Sequence, residues 1–199
     1  MKSSKLSKHL TLAAAVAVLA FPPVSSARSG KSSAELPIGK DFITTAADIN
    51  LGEVELGKLA EQNGNNQAIK DFGKLMVKDH SMAESQLEQI AKQNAVVLPA
   101  RPATNVSDLK GQLSKESGTK FDQAYLQHML SGHKQAITTF ENEIEHGQDA
   151  AFKAYAESVL PTIQDHIRIA EDLAGKVGLS GKLGLEVPSK AISAQAQPW

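Results

Sequence analysis

Apolar residues recur every three or four positions along four long stretches of this chain, and no other feature constrains the fold as strongly. The four stretches cover residues 42–60, 69–90, 126–144 and 152–177. Since an α-helix has 3.6 residues per turn, this spacing gathers the apolar side chains on one face of each helix. No segment alternates apolar and polar residues with a period of two, so no β-sheet is expected. The pattern predicts an all-α fold.

Turn signals divide the four predicted helices into two hairpins. Gly64 separates the first helix from the second, and Gly147 separates the third from the fourth. The longer link over residues 95–118 could reach about 79 Å when extended, whereas a helix of roughly 28 residues is about 42 Å long. The link can therefore cross the whole bundle, as a ferritin-like topology requires, although an up-down-up-down arrangement stays open. We expect residues 41–177 to form a ferritin-like four-helix bundle, with a short helix from Ser107 as the one regular element in the link.

Residues 1–27 have the pattern of a secretory signal peptide. A basic start is followed by an apolar run over residues 10–21, which is too short to span a bilayer as a helix. Ser25 and Ala27 supply the small residues of a cleavage site. We therefore expect a bacterial periplasmic or secreted protein.

The remaining segments and the charge narrow the class of protein further. Residues 28–40 are expected to form a flexible arm, and residues 178–199 a loose C-terminal tail. The net charge is -1, and removal of residues 1–27 takes away three lysines and no acid, which leaves -4. This charge and an aromatic content of 5% do not fit a nucleic-acid binder. No cysteine is present, which excludes disulfides, thiolate metal sites and cysteine nucleophiles.

One ionisable residue interrupts each apolar stripe, and these four are the candidate site residues: Glu53, His80, His133 and His166. A rise of 1.5 Å per residue puts them all within about one turn of the middle of the bundle. An ionisable group on a buried face destabilises the fold unless it is paired or coordinated. Imidazoles plus one carboxylate suit zinc, copper, iron or nickel, so one interpretation of these residues is a metal site at mid-bundle. The interpretation that we favour from the sequence is a buried polar core in which Glu53 accepts hydrogen bonds from the histidines and fixes the register of the helices.

Neighbouring residues narrow the metal chemistry. Met76 and Met129 each precede a candidate histidine by four positions, and thioether plus imidazole can hold copper. Core filling by methionine is the interpretation of the same spacing that we favour. A di-iron carboxylate site needs Glu-x-x-His on two helices, and neither His80 nor His166 has that glutamate.

Three further polar residues lie close to the candidates in the sequence. Asp79 and Asp165 directly precede two of the histidines, but adjacent helix positions point about 100° apart. We expect both aspartates on the surface. His128 is about 140° around the helix from His133, so it is expected at a flank.

Five short runs resemble a known family. They are residues 52–57 (GEVELG), 76–81 (MVKDHS), 121–125 (FDQAY), 133–137 (HKQAI), and Leu160-Pro161 followed by His166. Together they cover nearly all of residues 41–177 and resemble a bacterial exported ferritin-like family of unknown function, whose members often carry an outer-membrane protein name. The resemblance implies a helical ferritin-like bundle and no established activity.

No enzyme signature accompanies these features. A phosphate loop, Gly-x-Ser-x-Gly and His-Glu-x-x-His are all absent from the sequence. We therefore expect a non-enzymatic exported bundle with a structural or interaction role in the cell envelope. The alternative function is periplasmic binding or buffering of copper or zinc by the mid-bundle His/Glu cluster.

The signal-peptide prediction has a direct test. Cleavage after Ala27 leaves Arg28 as the first residue of the exported protein. Mass spectrometry of the protein from a periplasmic extract should find that N-terminus. An intact Met1 in the same extract would contradict the prediction.

Overall fold

The computed structural model describes residues 36–179, and every regular element among them is a helix. The five helices are α1 (Gly39–Asn63), α2 (Gln67–Gln93), α3 (Thr104–Leu113), α4 (Gly118–His146) and α5 (Ala150–Lys176). The all-α prediction is confirmed for these residues. Among the helices of residues 36–179, none has the length and apolar content needed to cross a membrane. The predicted signal peptide and most of the predicted arm and tail lie outside the described residues.

The boundaries differ from the sequence prediction in two places. Helix α1 begins at Gly39, so the last two residues of the predicted arm are helical. The predicted link holds a complete helix, α3, which begins at Thr104, three residues before the predicted start at Ser107. Leu113 of α3 is buried, and Val106 lies against α1 at Gly52. Helix α3 is therefore anchored by its apolar side chains to the outside of the bundle.

Two carboxylates of α4 determine the direction in which α4 runs past α1. Glu143 near the end of α4 accepts a 2.7 Å hydrogen bond from the N–H of Gly39, at the start of α1. Asp122 near the start of α4 accepts bonds of 2.8 Å and 3.1 Å from the N–H groups of Asn65 and Asn66, between the end of α1 and the start of α2. Glu143 thus lies at the N-terminus of α1 and Asp122 at the N-terminus of α2. Both placements are favourable, because a helix N-terminus attracts negative charge. Helices α1 and α4 therefore run antiparallel along the length of the bundle.

Helices α1 and α2 form a closely packed antiparallel hairpin. A Cβ atom added at Gly57 would lie 2.7 Å from the carbonyl oxygen of Gly73, and one added at Gly73 would lie 2.7 Å from the oxygen of Gly57. No side chain fits between the two backbones at this crossing. The two glycines thus allow α1 and α2 to approach closely, within about one turn of Glu53 and two of His80.

A polar layer divides the apolar core of the bundle into two clusters. The layer contains one residue from each long helix: Glu53, His80, His133 and His166. Toward one end lies a cluster that includes Leu56, Phe72, Tyr125 and Leu173. Toward the other end lies a cluster that includes Phe42, Leu87, Phe140 and Tyr155. The four candidate residues therefore lie at one level of the fold, in the middle of the bundle.

The apolar clusters should carry the stability of the bundle. Phe72 is 3% exposed and packs edge-on against Tyr125, with ring centroids 6.2 Å apart. Phe72→Ala should lower the free energy of unfolding by about 3–5 kcal/mol, measured by urea denaturation followed by circular dichroism. Val97→Ala, at a side chain that is 90% exposed, should change it by less than about 0.5 kcal/mol. Equal effects of the two substitutions would contradict the assignment of Phe72 to the core.

Candidate metal centre

Three imidazole rings from three different helices meet in the polar layer. His80 of α2, His133 of α4 and His166 of α5 are each no more than 3% exposed. Their ring centroids form a nearly equilateral triangle with sides of 5.8, 5.3 and 5.4 Å. One ring nitrogen of each residue lies within 4.8 Å of one from each of the others. We call this group the three-histidine cluster.

Asn50 on α1 orients the ring of His80. Its side-chain amide donates to Glu84 Oε2 and to the Tyr155 hydroxyl, both at 3.1 Å. The amide oxygen therefore faces His80 Nδ1, which lies 3.1 Å away. Because that oxygen only accepts, His80 Nδ1 must carry the proton. His80 Nε2 is then unprotonated and carries a lone pair.

His133 is held by its own helix. Its Nδ1 donates a 2.9 Å hydrogen bond to the backbone carbonyl oxygen of Met129, four residues earlier. A carbonyl oxygen only accepts, so the proton lies on Nδ1 and the lone pair lies on Nε2.

His166 is held by an aspartate on a neighbouring helix. Its Nε2 donates a 3.1 Å hydrogen bond to Asp79 Oδ2. The expectation that Asp79 lies on the surface is wrong, because its side chain is only 19% exposed and turns from α2 toward α5. Asp165 does lie on the surface, where it pairs with Arg168. Asp79 and His80 point about 100° apart around α2. Asp79 therefore does not point into the centre of the cluster, but it lies on the side of α2 that faces α5.

The remaining nitrogen of each ring has no hydrogen-bond partner among the described residues. These atoms are His80 Nε2, His133 Nε2 and His166 Nδ1, and all three are buried from solvent. Each is the acceptor end of a ring whose proton is committed to the opposite side. A buried acceptor without a donor destabilises the fold by about 1–3 kcal/mol. The cluster thus contains three buried lone pairs that need an electron-pair acceptor.

The spacing of the nitrogens suits a small metal ion. A triangle whose sides are at most 4.8 Å has a centre within about 2.8 Å of every corner, the side divided by √3. Zn–N bonds are about 2.0–2.1 Å long. Each ring would therefore move by less than about 1 Å to coordinate an ion at that centre. Imidazole nitrogen is a good ligand for zinc and copper.

Glu53 lies beside the cluster and does not complete it in this structure. Its Oε1 is 4.0 Å from His133 Nδ1, on the side of the ring that bonds to Met129. This distance is too long for a hydrogen bond. Its Oε2 is buried without a hydrogen-bond partner among the described residues. Burial raises the pKa of Glu53 to about 8, because a charged carboxylate loses its hydration there.

Burial also keeps the three imidazoles neutral. It lowers the pKa of His133 to about 4, with a further contribution from the nearby charge of His166. The pKa of His80 falls well below its usual 6.5, mainly through burial and also through its two histidine neighbours. Burial lowers the pKa of His166 as well, while Asp79 opposes that shift. Neutral imidazoles are the form that binds metal.

The histidine and the two methionines that precede the candidate histidines in the sequence lie outside the three-histidine cluster. His128 is partly buried and lies apart from the three-histidine cluster, at the flank predicted for it. Met76 and Met129 are fully buried in the apolar cluster beside the polar layer, which agrees with core filling. Met129 serves His133 through its backbone oxygen.

Sequence reasoning missed the group that orients His80. Asn50 is 1% exposed, and its partners Glu84 and Tyr155 are 9% and 1% exposed. Asn50 precedes Glu53 by three positions, which places the two on the same face of α1. That spacing was an available signal, but nothing in the sequence shows which distant side chains Asn50 meets.

Comparison with known protein families finds a match over most of the chain. Residues 24–173 match the model of a family described as a domain of unknown function (DUF4142). The curated proteins and the solved structures each give no match.

The raised pKa of Glu53 predicts how stability depends on pH. In the metal-free folded protein Glu53 holds its proton up to about pH 8, whereas the unfolded chain releases it near the usual 4.5. Stability from this group is therefore present at low pH and is lost as pH rises toward 8. Between pH 5 and pH 8, the free energy of unfolding of the wild-type protein in chelator should fall by up to about 1.4 kcal/mol per pH unit relative to that of Glu53→Gln. Urea denaturation at each pH measures both values. A difference that stays constant across this range would contradict the prediction.

Proposed function

The chain belongs to the family described as a domain of unknown function, DUF4142, and we propose that it binds one divalent transition-metal ion, zinc or copper, at the three-histidine cluster. One observation carries the proposal: each of the three rings has its N–H hydrogen-bonded outward and its lone pair unpartnered in the polar layer. A histidine that binds metal through one ring nitrogen typically donates a hydrogen bond from the N–H of the other to a carboxylate or carbonyl oxygen. His80, His133 and His166 would hold the ion.

Nearby acidic groups support the binding of a dication. Three neutral imidazoles leave the full charge of the ion to be balanced, which is demanding in a buried site. Asp79 is hydrogen-bonded directly to His166. Glu84 is hydrogen-bonded to Asn50, which is in turn hydrogen-bonded to His80. Glu53 lies against His133 and would become ionised as the positive charge arrives. The proposed site therefore has negative charge around it.

A purely structural polar core explains the geometry less well. In that alternative Glu53 accepts hydrogen bonds from the histidines and so fixes the register of the helices. The Glu53–His133 distance of 4.0 Å is beyond hydrogen-bond range, and Glu53 Oε2 has no partner among the described residues. The histidines instead donate to Asn50, Met129 and Asp79. This arrangement orients the rings but leaves their lone pairs unused.

The proposed role is to hold or buffer an ion in the cell envelope, not to catalyse a reaction. Residues 1–27 support export to the periplasm. The burial of the three unpartnered nitrogens suits retention of an ion. We further propose that the topology is ferritin-like. Its support is that α4 runs antiparallel to α1, with α3 in the link between the two hairpins.

Metal addition to the purified, chelator-stripped protein tests the proposal. One equivalent of Zn²⁺ or Cu²⁺ should bind per chain, measured by elemental analysis after gel filtration. An ion that prefers the folded state adds about 2.7 kcal/mol to its stability when present at a hundredfold excess over Kd. The melting temperature should rise accordingly, while Mg²⁺, which prefers oxygen ligands, should leave it unchanged.

Single histidine substitutions separate the proposal from its alternative. The metal-induced rise in melting temperature should be mostly abolished by each of His80→Ala, His133→Ala and His166→Ala. His146→Ala, at an exposed histidine, should preserve that rise. Asp79→Ala should weaken binding by about 10–100-fold, because His166 loses the partner that orients its ring. If neither ion raises the melting temperature of the wild type and the protein from its native compartment carries no metal, the polar-core alternative stands.

A further inference from the structure

A cavity of about 260 Å³ lies between α1, α3 and α4, on the side of the bundle where Glu53 sits. Gly52 and Gly132 line it, so two helix backbones border the space without side chains. Glu53 and His128 also line it, and they are its carboxylate and imidazole nearest to the three-histidine cluster. The cavity connects solvent with the α1 side of the polar layer.

Gly132 keeps the space between these two side chains open. A Cβ atom added at Gly132 would lie 3.7 Å from Glu53 Oε1 and 3.8 Å from His128 Nε2. Both polar atoms therefore border the same small volume. Any side chain longer than alanine at this position would project into it.

Glu53 reaches from this cavity to the cluster. The side chain is 7% exposed, its Oε1 lies 4.0 Å from His133, and its Oε2 has no hydrogen-bond partner among the described residues. A carboxylate and an imidazole together suit the same ions as the three-histidine cluster. The buried oxygen without a partner is the feature that distinguishes this cavity from an ordinary surface groove.

We propose that Glu53 and His128 form a second, transient cation site in this cavity and that the metal ion reaches the three-histidine cluster through it. The inference rests on the proposed function, because it requires an ion that ends at the cluster. The ion would first contact His128 Nε2 and Glu53 Oε1 beside Gly132. A shift of the Glu53 carboxylate toward the cluster would then pass it to His133, His80 and His166.

A second cavity, between α2 and α5, is the alternative route. It also measures about 260 Å³, and His80, His166 and Asp79 are among its lining residues. The carboxylate of Asp79 is already hydrogen-bonded to His166 there, whereas Glu53 Oε2 has no hydrogen-bond partner among the described residues. The carboxyl oxygen without a partner favours the α1 side as the place where a cation first binds.

The rate of metal uptake tests this route. The probe is Co²⁺, whose visible absorption reports coordination by imidazole, mixed with the chelator-stripped full chain in a stopped-flow instrument. Gly132→Leu and His128→Ala should each slow association by about tenfold or more, with Kd changed by no more than about twofold. A change confined to the route slows binding and release equally, so it leaves the equilibrium unaltered. Gly132→Ala, whose Cβ makes ordinary contacts, serves as the milder variant if Gly132→Leu does not fold.

Thr162→Leu is the matched control, because Thr162 lines the α2–α5 cavity. It should leave the association rate unchanged. Slowing by Thr162→Leu, or unchanged rates in the Gly132 and His128 variants, would overturn the route and leave the proposed function intact. If the wild type takes up no Co²⁺, Zn²⁺ or Cu²⁺ at equilibrium, the proposed function and the route both fail.

Discussion

The hydrogen bonds on the outer side of the three imidazoles determine what the middle of this protein can do. Asn50 binds His80, the Met129 carbonyl binds His133, and Asp79 binds His166. Each acceptor holds a proton on the outer nitrogen, and the inner nitrogen keeps its lone pair. Two of these bonds join different helices, so the orientation of the rings depends on the register of the bundle.

The rest of the fold maintains that register. Asp122 and Glu143 attach the two ends of α4 to the ends of α1, which places His133 at the level of Glu53. The contact between Gly57 and Gly73 draws α2 against α1. An apolar cluster then packs against the polar layer on the side of each bundle end. Apolar burial supplies the stability that such a layer lacks in the absence of an ion.

The polar layer is asymmetric, and this asymmetry bears on function. The three histidines come from α2, α4 and α5, whereas α1 contributes a carboxyl group with a raised pKa. The α1 side also has the cavity bordered by Gly132 and His128. An ion held by the histidines would thus have fixed ligands on three sides and an adaptable acidic group on the fourth.

The sequence by itself determined the class of the fold, the four long helices and the level of the candidate residues. Helical periodicity and a constant rise per residue are local properties, so the stripes were enough to place Glu53, His80, His133 and His166 at mid-bundle. The extent of α3 was less predictable, because the apolar pattern of a short helix is weak and its burial depends on the surface it meets.

Only the tertiary structure decided which of these residues meet and which atoms they use. Nothing local to Asp79 or Asn50 shows that one turns toward α5 and the other toward His80, since both contacts depend on how helices pack side by side. The same packing placed three histidines within reach of one point and left Glu53 beside them. Periodicity specifies a face of a helix, but hydrogen-bond partners and lone-pair directions follow from distances between helices that are far apart in the sequence.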